Sequence, residues 1–135
     1  CVPRHRFEGA GGYSGPDLGS GSKRYSIKDI LIAICEPSQS ISEQYQASKI
    51  ILKEGGMLYG RVIYRNDKEI AVAANPYDFS VLTKSPIGDV ASVEPSQESM
   101  MPLATIALMN KDELSDLVAY LISGGDPKHK VFKPK

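Results

Sequence analysis

The chain opens Cys1-Val2-Pro3-Arg4-His5. A thiol four positions before an imidazole is the frame of a Cys-x-x-Cys-His haem c attachment site, where thiols add to haem vinyl groups and the histidine is placed under the iron. The first cysteine and the histidine keep that spacing, and Arg4 stands where the second cysteine belongs. Taken alone, the pair reads more readily as a terminal cysteine beside a surface histidine. Gly15-Pro16-Asp17-Leu18 closes the glycine-rich stretch that follows, and taken alone it is a Gly-Pro turn. Much further on comes Ser99-Met100-Met101-Pro102. A methionine thioether is a soft iron ligand that raises the reduction potential. Met101, directly before proline, is the better ligand candidate; Met57, Met100 and Met109 read as side chains that fill core gaps. His129 stands in a lysine-rich tail and reads as solvated. No Ser/His/Asp set or metal-binding cluster appears elsewhere, so no enzyme chemistry is expected.

These residues sit in a chain of 135 residues, enough for one domain with a real core. Sixteen basic residues balance sixteen acidic ones, which argues against a nucleic-acid surface. The longest apolar run, Ile30 to Cys35, falls far short of the roughly 18 residues of a membrane span. The sequence begins at Cys1 without a basic and then apolar leader, as a mature or truncated chain would. Two cysteines are too few for a disulfide scaffold, though one bond between Cys1 and Cys35 is open to them. Cys35, in an apolar helical stretch, is expected to be a buried thiol.

Three zones must position the candidate groups. Residues 1–25 carry Gly9, Gly11, Gly12, Gly15, Gly19 and Gly21, too many for a helix. Phe7, Tyr13, Pro16 and Leu18 interrupt the run, which favours an ordered loop over a linker. Ser26 is a capping residue, and Ile27, Ile30, Leu31 and Ile34 share one helical face, so a helix is expected over 26–35, ended by Glu36-Pro37. Residues 46–94 change to period two. Strands are expected at Gln46–Leu52, Met57–Tyr64, Ile70–Ala74 and Phe79–Thr83, with a fifth at Ile87–Val93, in an antiparallel meander. Asn110 with Glu113 opens a second helix over 110–123, closed by Gly124-Gly125. Residues 126–135 read as an exposed basic tail.

The chain resembles the haem-binding cytochrome c domain abundant in planctomycete-type bacteria, often found at the end of large secreted dehydrogenase-like proteins. The resemblance rests on Cys1-x-x-x-His5, Gly15-Pro16-Asp17-Leu18, Asp29-Ile30-Leu31-Ile32 with Pro37-Ser38, Ile41 and Tyr45. It continues through Lys53-Glu54-Gly55-Gly56, Leu58-Tyr59-Gly60, Asp89-Val90-Ala91-Ser92-Val93, Ser99-Met100-Met101-Pro102 and Leu114-Ser115-Asp116-Leu117-Val118-Ala119-Tyr120-Leu121. It implies an α+β fold: a cytochrome c-like helical haem domain over 1–125 with an antiparallel β meander inserted at 46–94. It also implies a haem bound through Cys1, with His5 and Met101 as axial ligands and the Pro16 carbonyl holding the histidine's other nitrogen. Two departures matter. Arg4 removes one thioether, so the haem hangs by a single bond, is held without a bond, or is absent. The helix that precedes the motif in the family lies outside this sequence, so a longer chain or a neighbouring one would cover the Leu114–Leu121 face.

The function expected is that of a monohaem c-type electron-transfer domain in the periplasm or another extracytoplasmic space, serving a redox protein or dehydrogenase domain. The alternatives are a haem-less docking module and a lipoprotein acylated at Cys1.

Overall fold

The computed structural model describes residues 1–19, 24–103 and 106–133. The chain divides into two compact units, Cys1–Ser40 with Pro102–Lys135, and Ile41–Met101. Among the described residues the structure is mostly β: a two-stranded and a five-stranded antiparallel sheet, with only two short α-helices. This overturns the expected cytochrome c-like helical haem domain. The physical reason lies in where the burial falls. The fully buried large apolar side chains, Ile50, Ile70 and Val72, all come from the period-two region. The first helix, by contrast, has no buried residue. The sheet therefore holds the cluster of fully buried apolar side chains.

In the first unit, the glycine-rich segment forms a hairpin of β1 (Arg6–Phe7) and β2 (Ala10–Gly11). Glu8 and Gly9 at its tip have φ of 48° and 84°. Two successive positive φ values make a type I′ turn, whose twist suits a two-residue hairpin. Helix α1 (Ile27–Cys35) starts at a complete Ser26–Asp29 capping box. Helix α2 (Lys111–Ser123) starts at Asn110, whose side chain accepts from the Asp112 and Glu113 amides, and ends at left-handed Gly124. Phe7 packs its ring 4.9 Å from that of Tyr120, docking the hairpin onto α2. The basic tail is not a free arm: Lys130–Phe132 forms a 3-10 turn capped by His129, and Val131 joins the α2 side chains in lining a groove. His129, in this exposed stretch, accepts from the Val131 amide at 3.2 Å. Cys35 is exposed rather than buried, because α1 lays no face into a core.

The second unit is the five-stranded sheet of β3 (Ser48–Leu52), β4 (Met57–Arg65), β5 (Glu69–Ala73), β6 (Thr83–Pro86) and β7 (Val90–Pro95), in the order β6-β5-β4-β3-β7. The first four form a meander; β7 returns to pair with β3. Only Ile87–Asp89, a 3-10 turn, joins β6 at one edge to β7 at the other. A flat sheet of this order would separate its edges by about 19 Å at ~4.8 Å per strand. The link reaches about 14 Å at most. The sheet must therefore curl. Hydrogen bonds show how: the Ile87 amide donates to Lys68 O at 2.9 Å and the Lys53 amide to Asp89 O at 2.9 Å, so the turn bridges the ends of β5 and β3. Inside the curl, Leu52, Leu58, Val62, Ile87, Val90 and Val93 pack on Ile50, Ile70 and Val72.

Two strand expectations shift for local reasons. Residues 79–82 are loop, where Asn75 Oδ1 accepts from the Tyr77 amide and Asp78 Oδ1 from the Ser80 amide, both side chains competing with strand pairing. The fifth strand starts only at Val90, after the turn.

Candidate functional site

The Cys1–His5 segment closes into a single turn: the Cys1 carbonyl accepts from the Arg4 amide at 3.0 Å and from the His5 amide at 2.8 Å. The glycine-rich loop then wraps this turn. The Gly12 amide donates to Val2 O at 2.9 Å and the Gly15 amide to Arg4 O at 2.8 Å. Three glycines are there because nothing larger fits. A Cβ at Gly12 would stand 2.1 Å from Pro3 O, and one at Gly11 2.2 Å from His5 O. At Gly15 it would meet the imidazole itself, 2.7 Å from Cε1 and 2.8 Å from Nδ1. The composition that forbade a helix is what lets the backbone close over His5.

The consequence is a fixed and buried imidazole. His5 is 8% exposed, and its Nδ1 lies 2.8 Å from the Pro16 carbonyl oxygen. A carbonyl only accepts, so Nδ1 carries the proton and Nε2 carries the lone pair. Burial lowers the histidine's pKa below its ordinary 6.5; the Pro16 bond works the other way, and the positive charges of Arg4 and the N-terminus add to the lowering. The ring is therefore neutral at pH 7. A neutral imidazole with one nitrogen held by a carbonyl and the other bearing a lone pair is the form in which histidine ligates a metal.

Around this centre, Cys1 is an exposed free thiol. Arg4 is 5% exposed, its stem packed against Gly15. Cys1, His5 and Pro16 are thus brought together in one unit. Met101 ends the other unit, half-buried, its amide donating to Ser99 Oγ at 3.1 Å. Met100 is buried at 6%, whereas Met57 is 52% exposed and fills no core gap. Among the described residues, no three His, Cys, Asp or Glu side chains gather into a metal-binding group. The hairpin and the three close-packed glycines were missed by sequence reasoning; Glu8-Gly9 between two short extended pairs was the signal for the first.

One further feature of this unit is an apolar groove of about 390 Å³ between α1 and α2, lined mainly by Ile27, Leu31, Leu114, Val118, Ile122 and Val131. No described helix is long and apolar enough to cross a membrane. No protein-family model matches the chain, and no curated protein matches it closely enough to count as a relative.

Proposed function

We propose that the chain is a monohaem electron-transfer module in which His5 is the proximal iron ligand. The observation that carries this reading is the His5–Pro16 hydrogen bond inside a glycine loop that admits no Cβ against the ring. Neither feature is needed by a histidine that merely fills space. The residues present fit the group: Nε2 offers a lone pair, and Cys1 offers a thiol one turn away. When bound, haem iron would supply a one-electron couple tuned by its axial ligands.

The chain's own residues divide the rest of the work. Pro16 O fixes the tautomer and the ring orientation of His5 and raises its basicity as a ligand. Gly15 lets the loop close on the ring, since a Cβ there would stand 2.7 Å from Cε1. Cys1, an exposed free thiol, would be the residue that holds the group covalently, through addition of its S–H across one vinyl group with no net oxidation. Arg4, where a second cysteine would stand, offers no thiol, so attachment would be by one thioether. The partner is a redox protein or a dehydrogenase domain, and the setting is extracytoplasmic, where haem c attachment takes place.

Acid–acetone extraction of the protein matured with haem-attachment machinery tests this. Haem should stay with the native chain and leave the Cys1→Ala variant. Complete extraction from the native chain would rule out the thioether, and failure to take up haem even as Arg4→Cys would overturn the reading. A second reading, a haem-less docking module, is favoured by the apolar groove, where Ile27 at the start of α1 is 56% exposed.

A further inference from the structure

Among the described residues three cations lie over aromatic rings, and two of them also have a hydrogen-bonded oxygen. Arg6 lies 4.9 Å from the Tyr13 ring centre and donates to the Tyr13 hydroxyl at 2.6 Å. Lys84 lies 5.6 Å from the Tyr64 ring centre and donates to the Glu69 carboxylate at 3.1 Å. Arg61 differs. Its guanidinium carbon is 5.3 Å from the Tyr45 ring centre and 5.3 Å from that of Phe79. It donates to no oxygen and meets no carboxylate among the described residues, where the one ion pair is Lys84–Glu69.

The placement is specific. Arg61 rises from β4; Tyr45 comes from the 3-10 turn Glu43–Tyr45 before β3, and Phe79 from the loop between β5 and β6. Two separate connections thus each bring an aromatic face to the guanidinium of Arg61, a residue half-buried as a whole. The nearest acid in sequence to Phe79, Asp78, turns instead to Ser80, accepting from its amide at 2.8 Å and its hydroxyl at 2.6 Å. Aromatic faces stabilise a cation through their π-electrons but take up none of its in-plane N–H donors. The guanidinium is therefore held between two rings' reach while its planar fork is unspent. That fork matches the two oxygens of a carboxylate.

We infer that Arg61, flanked by Tyr45 and Phe79, is a carboxylate-binding site on the β unit. A carboxylate is planar and can lie in the plane of the fork between flanking rings, which a tetrahedral oxyanion fits less well. The carboxylate has two sources, a free small acid or an acidic side chain of a protein segment. This inference does not rest on haem.

The test follows the Arg61 Nε–Hε resonance by NMR in the full chain, at constant ionic strength made up with chloride. Succinate is the small-acid probe, a tetraglutamate peptide the protein-like one, and inorganic phosphate the comparison. The expected result is a saturable shift with succinate or the peptide, the tighter of the two identifying the source. Arg61→Lys keeps the charge and loses the fork, and should weaken that binding about tenfold with an unchanged unfolding midpoint. The inference is overturned if chloride moves the resonance as far, if neither probe saturates, if phosphate binds more tightly than both, or if Arg61→Lys binds equally well. The titrations of the native chain decide the matter even if the variant does not fold.

Discussion

Alanine at Gly15 perturbs the imidazole clamp with one methyl group. The new Cβ would lie 2.7 Å from His5 Cε1 and 2.8 Å from Nδ1. Carbon atoms in contact prefer about 3.5–4.0 Å, so roughly 0.8 Å or more must be taken up by the ring or the loop. The backbone at Gly15 is not in the positive-φ region, so the contact alone makes the strain. Overpacking of this kind costs about 1–3 kcal/mol. A ring displaced by that amount would stretch the 2.8 Å bond to Pro16 toward or past the ~3.2 Å limit of good N–H···O geometry. Urea unfolding followed by circular dichroism measures the cost, and long-range ¹H–¹⁵N spectra of the imidazole report the tautomer. Gly88→Ala is the control, since nothing lies within 4 Å of its added Cβ and it should be neutral or slightly stabilising. If Gly15→Ala were as stable as the native chain and kept its Nδ1–H tautomer, the claim that the loop is built around His5 would fail.

Acid should weaken the first unit in a defined window. The folded His5 pKa lies below the ordinary 6.5, so the unfolded chain binds more protons between the two values. Stability is then complete above about pH 6.5 and falls as the pH drops to the lowered folded value; His5→Asn should remove this component from a pH series of urea midpoints. Asn110→Ala takes away the acceptor of the Asp112 and Glu113 amides at 2.9 and 3.0 Å and should cost about 1 kcal/mol in the same assay. Ile70→Ala, at a fully buried position of the β unit, should cost about 2–5 kcal/mol, with amide exchange accelerating across β4, β5 and β6 and not in α2.

How far the sequence could be read differs between its zones. Both helices were legible because each carries a capping residue, an acid three positions on and a period of 3.6. What the period could not tell was how deep their faces lie: α1 has the right spacing yet buries no residue. The helical haem domain was implied by the family resemblance and not by the period, and the shallow burial of α1 does not support it. The strands around Ile50, Met57–Arg65 and Ile70–Val72 followed from alternation and turn residues. The segment after Ala74 did not, because Asn75 and Asp78 spend their side chains on local backbone and delay the strand to Thr83. Of the site, Cys1, His5 and Pro16 were legible as residue types at a spacing. The close contacts of Gly11, Gly12 and Gly15 were not, since only the folded loop shows which backbone each glycine meets. The Arg61 clamp joins residues far apart in sequence and left no local signal.

The central claim, that His5 is an iron ligand in a singly attached haem, is met most directly by the visible spectrum of the reduced protein taken together with its denatured mass. The account predicts a mass increased by one haem and a low-spin spectrum whose reduced band lies to the red of an ordinary doubly attached haem c, with the low-spin character lost in His5→Ala. A protein produced with haem and the attachment machinery that shows neither the added mass nor any haem absorbance would contradict it.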